Sequence, residues 1–179
     1  MIIQFCGLSG SGKTTIANHV KLLLNGLNIN CEVIDGDVYR KVLCADLGFS
    51  KTDRNENICR LAFVANLLAS YNIISIICAI NPYEDARQQV LAEYPNVKTV
   101  FVDCSMPVLQ QRDTKQLYKK AMLPHWHPDR ISNLTGVNDP FEAPVNPDLI
   151  LKTDTETIEA SAQKLLEFIL AGIQKTRHL

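Results

Sequence analysis

Long hydrophobic runs, paired cysteines, charge of one sign and low-complexity stretches are all missing from this chain, and each absence removes a class of protein. No apolar segment among its 179 residues approaches the roughly 18 residues of a membrane span, so a membrane is not an expected partner. The short apolar run after Met1 has no charged segment ahead of it, which argues against a signal peptide and for a cytoplasmic location. With 18 Lys and Arg against 19 Asp and Glu, the formal net charge is −1. Such a chain carries no basic field, and nucleic acid is a poor partner for it. The six cysteines (6, 31, 44, 59, 78 and 104) contain no C-x-x-C pair. Cys6, Cys31, Cys78 and Cys104 lie in or beside apolar runs, where reduced thiols serve as small buried hydrophobes. There is no internal repeat and no linker-like stretch.

What is there is ordinary for a globular protein: 46% hydrophobic and 21% charged residues. The length suits one domain spanning 1–179, large enough to bury a sizeable core. Apolar runs predict strands at Ile2–Cys6, Cys31–Ile34, Ile73–Ile80, Val97–Val102 and Leu149–Leu151. Helical patterns fall between them, at Lys13–Asn25, Val38–Asp46, Arg54–Tyr71, Tyr83–Tyr94 and Pro107–Ala121. A last helix over Thr155–Lys175 opens with Glu156 and Glu159 and closes with Lys175 and Arg177, as a helix dipole prefers. Alternating strands and helices imply an α/β fold whose parallel sheet is covered on both faces.

The first strand runs straight into Gly7-Leu8-Ser9-Gly10-Ser11-Gly12-Lys13-Thr14, a match to G-x-x-x-x-G-K-[ST]. Glycines let successive backbone N–H groups turn inward around an anion, and the following helix points its N-terminus at the same phosphates. Lys13 would reach the β- and γ-phosphates, and the Thr14 hydroxyl would ligate Mg²⁺. Residues Gly7 to Thr14, with Thr15 behind them, are therefore the candidate ATP-binding residues.

Ligands of such sheets gather at the carboxyl ends of the strands. The second strand ends in Asp35-Gly36-Asp37, the third in Asn81-Pro82-Tyr83 and the fourth in Asp103. Asp35 and Asp37 have two readings. They could orient an attacking hydroxyl, take its proton or hold Mg²⁺. Equally they could form an Asx turn, with Asp37 as the cap of the next helix. From Leu123 to Asn146 the chain has little periodicity and carries Pro124, Pro128, Gly136, Pro140 and Pro144. A connection this long in a compact domain suggests a lid, here at 112–146. Arg112, Lys115, Lys119 and Lys120 precede it; they are either a solvated face or, beside a phosphate site, ligand contacts. Arg112 falls to the ATP side of that choice.

Taken together, these motifs resemble the adenylylsulfate (APS) kinases. The ordered set adds Arg40, Leu47-Gly-Phe-Ser50, Asp53-Arg54-x-Glu56-Asn57-Ile58, Phe101-Val-Asp103, Leu117-Tyr-Lys-Lys-Ala121, Thr135-Gly136 and Glu142-Ala-Pro144. The resemblance covers nearly the whole chain. It implies a P-loop NTPase three-layer sandwich with a mainly parallel five-stranded sheet and a lid segment. It implies that MgATP phosphorylates the ribose 3′-hydroxyl of adenosine 5′-phosphosulfate. Lys13, Asp35 and Asp37 would be catalytic. Arg40, Arg54 and Asn57 would hold the acceptor's anionic part, with Phe49 stacked on its adenine and Lys119 and Lys120 over the phosphates. A homodimer is implied by the resemblance alone.

Departures from the family pattern fall on the acceptor side. Asn81 stands where the family has a serine, so a phosphoserine intermediate is excluded at that position and direct in-line transfer is expected. Leu134 replaces a phenylalanine, giving apolar contact without a π-face. Cys59 replaces an arginine, and the lid gains Pro124-His-Trp-His-Pro128. His125 and His127 read as an exposed polar loop rather than a metal site. Trp126 either packs on a base or anchors the loop. These changes leave a second acceptor in view, cytidine diphosphoramidate, phosphorylated by the same chemistry. A third reading, a catalytically silent nucleotide-binding module, is opposed by the retention of Lys13, Thr14, Asp35 and Asp37.

Overall fold

The computed structural model describes residues 1–177, with side chains through Gln174; the side chains of Lys175 and Arg177, expected to close the last helix, lie outside the described residues. Five strands form one wholly parallel sheet: β1 Ile2–Cys6, β2 Cys31–Asp35, β3 Ile74–Cys78, β4 Val97–Asp103 and β5 Leu149–Lys152. Their spatial order is β2-β3-β1-β4-β5, which puts β1 at the centre. Ile3 stands opposite Ile76 of β3 and Lys98 of β4.

Because side chains alternate across a strand, β1 feeds two cores. Ile3 and Phe5 pack with α1 (Lys13–Gly26) and α7 (Ile158–Arg177), through Ile16, Val20, Leu165 and Ile169. Ile2 points the other way, towards Leu61 and Ala65 of α3 (Lys51–Ser70) and Val90 of α4 (Glu84–Glu93). Each fully buried Ile, Leu or Phe contributes roughly 1.5–3 kcal/mol. The two faces therefore hold the frame, and near-continuous apolar strands are the sequence that such double burial requires. Since α1 leaves β1 on one face and α4 leaves β3 on the other, a crevice opens between adjacent strand ends, where ligands of this architecture lie.

Several expected helices differ, among them the last, α7, which starts at Ile158 so that Glu159 lies in its first turn and Glu156 precedes it. The pattern over Val38–Asp46 yields only α2, Gly36–Tyr39, followed by turns to Asp46. Val38 and Val42 are exposed, so the pattern finds no surface on which to bury an apolar stripe. The expected Pro107–Ala121 helix is split into α5, Met106–Arg112, and α6, Leu117–Ala121. The Asp113 carboxylate causes the break, accepting from Tyr118 N at 3.1 Å and Lys119 N at 2.9 Å and so capping the second piece. Gln116 follows in the left-handed region, at φ 55°. Helix α3 starts earlier than Arg54, because Ser50 and Asp53 form a reciprocal capping box.

The lid has its own small core, in which Leu109, Tyr118, Ala121 and Leu134 pack with Cys104. No helix among the described residues is long and apolar enough to cross a membrane. All six cysteines are free, and five of them are buried.

Candidate functional site

The loop after β1 is shaped by its glycines. Gly10 and Gly12 adopt φ 78° and 93°, which side chains rarely tolerate, and a Cβ on Gly7 would meet Val102 O at 2.5 Å. Lys13 folds back over this loop, donating to Gly7 O at 2.9 Å and Leu8 O at 2.7 Å. Burial pulls its pKa down from 10.5 to about 8, a change that a polyanion held by the loop would oppose. Two further anchors fix the loop from outside. Tyr118 OH donates to Ser9 O at 2.8 Å, and Thr153 Oγ1 donates to Ser11 O at 2.9 Å.

Strand β2 delivers Asp35 to the same point. Its Oδ2 accepts from Thr14 Oγ1 at 2.7 Å, and its Oδ1 accepts from Asp37 N at 2.9 Å and Val38 N at 3.3 Å. The cap of α2 is thus Asp35, not Asp37 as the sequence suggested. Asp37 is left with an exposed carboxylate whose partner is the Lys115 ammonium, from the break between α5 and α6.

Across the strand ends, Phe49 lies with the guanidinium carbons of Arg40 and Arg54 at 4.7 and 5.5 Å from its ring centre. Arg54 is buried, and its Nε lies 3.3 Å from Asp139 Oδ2. A cavity of about 830 Å³ joins these parts, lined by Lys13, Thr14, Asp35, Asp37, Phe49, Arg54, Arg112, Lys115 and Leu134 among others. It is one continuous space that borders the glycine loop as well as Phe49 and Leu134.

Not every candidate borders it. Ser9, Gly10, Gly12 and Thr15 do, whereas Gly7, Leu8 and Ser11 lie behind. Arg40 turns to the carbonyls of Leu47 and Gly48, behind Phe49. Asn57 and Asn81 are buried beside the cavity rather than in its lining, each with a side-chain oxygen that has no hydrogen-bond partner among the described residues. Asn81 Nδ2 donates to Gln4 Oε1 at 3.2 Å. Lys119 and Lys120 are exposed on α6 and do not line the cavity; Lys115 is the lid lysine that does. Thr153 was missed by sequence reasoning, although its place just past β5 marks a strand end. Asp139 carried no signal at all, because its partner Arg54 is remote in sequence. Trp126 is exposed, with His127 as its ring neighbour at 6.1 Å. No group of three metal-ligating His, Cys, Asp or Glu side chains occurs among the described residues.

Known proteins resemble this chain along most of its length. A family model described as adenylylsulphate kinase matches residues 1–152. An adenylyl-sulfate kinase of Deinococcus deserti is 42% identical over 170 residues, covering 94% of this chain and 90% of that protein. One from Halothermothrix orenii is 44% identical over 167 residues, covering 93% and 88%. Among solved structures, the Mycobacterium tuberculosis APS kinase CysC, in complex with AMPPNP and APS, aligns with a TM-score of 0.84 at 36% identity. That alignment covers 94% of this chain and 96% of the other.

Proposed function

The chain belongs to the adenylylsulphate kinase family, and on that premise we propose how its residues carry out the reaction. The reaction is transfer of the γ-phosphoryl group of ATP to the ribose 3′-hydroxyl of adenosine 5′-phosphosulfate, giving 3′-phosphoadenylyl sulfate and ADP. The single observation that carries our assignment of roles is the 2.7 Å contact of Thr14 with Asp35. Through it the phosphate loop and the carboxylates after β2 meet at one point in the cavity.

The backbone of Gly7 to Thr14 cradles the β- and γ-phosphates, and the Lys13 ammonium follows the transferring charge. Arg112, at the loop's end of the cavity, serves the ATP side. Thr14 Oγ1 and Asp35 Oδ2 are hard oxygen donors of the kind Mg²⁺ takes, alongside phosphate oxygens and water, and they would hold it. Bound there, the ion supplies Lewis-acid neutralisation of the phosphate charge. Asp35 is committed to Thr14 and to the cap of α2. Asp37, whose carboxylate meets only the exposed Lys115 ammonium, is therefore the one to accept a hydrogen bond from the acceptor hydroxyl and aim it at the γ-phosphorus.

Lys115, now paired with Asp37, is the cation nearest that hydroxyl. Phe49 and Leu134 face the acceptor's base, with Arg54 beneath them. Arg40 supports Phe49, and Asn57 and Asn81 offer buried amide oxygens at the acceptor end. Asn81 has no hydroxyl to carry a phosphoryl group, so transfer is direct and in line. Lys119 and Lys120 reach the phosphates only if the lid, residues 112–146, closes further. We place the enzyme in the cytoplasm as one domain over 1–179. We further propose a homodimer through the exposed apolar side chains of Phe63 and Leu67 on α3 and of Tyr71, which caps its C-terminal end.

The test is an ADP-release assay with adenosine 5′-phosphosulfate, cytidine diphosphoramidate and plain nucleotides as acceptors. Release with the first is expected. Release with the cytidine compound and not with adenosine 5′-phosphosulfate would overturn the acceptor assignment.

A further inference from the structure

Arg54 is the buried cation of the acceptor end, and its contacts are with the protein itself. Nε donates to Phe49 O at 3.0 Å, and Nη2 donates to Asn133 O at 2.7 Å. Phe49 and Leu134, the neighbour of Asn133, are two walls of the cavity. A single guanidinium therefore sets the spacing between walls that come from distant parts of the chain, and its rigid fork suits that task better than an ammonium would.

The charge of Arg54 is balanced by Asp139, whose Oδ2 lies 3.3 Å from Nε, with only 10% and 22% of the two side chains exposed. Asp139 ends a loop that is bonded within itself. Asp139 N donates to Leu134 O at 3.2 Å, Gly136 N donates to Asp139 O at 2.7 Å, and Leu134 N donates to Asn138 Oδ1 at 2.7 Å. Gly136 brings this loop down onto Leu8, since a Cβ there would lie 2.6 Å from Leu8 Cδ2. The Leu134–Asp139 loop is thus a preformed unit, and the Asp139 carboxylate keys it to α3. The hydroxyl of Tyr83 lies 3.4 Å from the same carboxylate.

We propose that Asp139 is a positioning residue for the acceptor nucleotide. By holding Arg54 against its own loop, it fixes the gap between Phe49 and Leu134 that receives the acceptor's base. This rests on the kinase reading above. Without a counter-charge, a guanidinium this deeply buried is left unpaired and turns to the nearest anion or to water, releasing the two carbonyls. The backbone bonds of the loop do not depend on the Asp139 side chain, so asparagine there leaves the loop formed and unkeyed.

The experiment compares Asp139→Asn, Asp139→Glu and Arg54→Lys with the wild type, in steady-state kinetics against each substrate and in thermal melting. For Asp139→Asn the acceptor KM should rise about tenfold, some 1.4 kcal/mol, with the ATP KM unchanged. Asp139→Glu, which keeps the charge, should recover most of that loss. Asp139→Asn added to Arg54→Lys should cost little more than Arg54→Lys alone, because both break the same clip. An unchanged acceptor KM, additive effects in the double variant, or equal rises in both KM values with a lowered melting temperature would each overturn the inference. Absence of turnover by the wild type would overturn the kinase reading, and the inference with it; wild-type turnover with an unaffected Asp139→Asn variant would overturn the inference alone.

Discussion

At the donor end of the cavity, eight consecutive residues supply the loop, its cation and its hydroxyl, and the loop's own carbonyls hold Lys13. At the acceptor end, Phe49, Arg54, Asp37, Leu134 and Asp139 arrive from three separate segments, joined by side chains that reach across them. The first is written in eight residues after a buried strand and is anchored from outside at Ser9 and Ser11 by Tyr118 and Thr153. The second exists only once the sheet has placed α3, the end of β2 and the lid side by side. A local site resists change elsewhere, whereas a converging site can be altered at any of its contributors. Of the departures from family pattern, Leu134 lines the converging end, whereas Asn81 and the Pro124–Pro128 stretch lie outside the cavity lining.

Three perturbations sharpen this contrast, from the largest expected effect to the smallest. Lys13→Ala removes the cation at the transferring group, and kcat should fall by about a thousandfold or more, since electrostatic stabilisation is the main resource of phosphoryl transfer. Near-normal turnover would break the account of the donor end. Asp37→Asn should lower kcat by about a hundredfold while leaving both KM values close to wild type, as expected of a group that acts in the transition state. A change confined to the acceptor KM would make Asp37 a binding residue instead.

The smallest effect concerns protons. Free Lys13 has its pKa pulled down to about 8 by burial, while bound phosphates favour its charged form and raise that value. ATP binding at pH 9 should therefore take up a proton, and at pH 7 should take up none. Calorimetry in buffers of different ionisation enthalpy reads the difference, and Lys13→Ala should abolish it. The sign for folding is fixed by the same shift. Between pH 8 and 10.5 the unfolded chain binds more protons at this lysine than the folded one, so its contribution to stability rises with pH across that window.

How much of this was legible in the sequence follows the same division. The strands and the glycine loop could be read because each is written in a short contiguous stretch: the apolar run Ile2–Cys6 and the spacing of Gly7, Gly12, Lys13 and Thr14. The family resemblance placed Asp35, Asp37, Phe49 and Arg54, and all four line one cavity. What stayed hidden depended on contacts between distant residues or on competition between neighbours. Asp35 and Asp37 are equally good capping residues, and only the position of Thr14 decides that Asp35 takes the cap. The apolar pattern through α5 and α6 looked continuous, because nothing local reveals that the Asp113 side chain turns to the N–H groups of Tyr118 and Lys119. The turn that results brings Lys115, rather than Lys119 or Lys120, to the cavity. The pairing of Arg54 with Asp139 joins α3 to the lid, and no pattern within either segment announces it.

The central claim is that the γ-phosphate held at the donor end passes to a ribose 3′-hydroxyl held at the acceptor end. Phosphorus NMR of the product formed from ATP and adenosine 5′-phosphosulfate tests it most directly. The account predicts a new phosphomonoester resonance coupled to the ribose 3′ proton, appearing in step with ADP and with the phosphosulfate anhydride intact. Inorganic phosphate accumulating with ADP while the acceptor is recovered unchanged would contradict it.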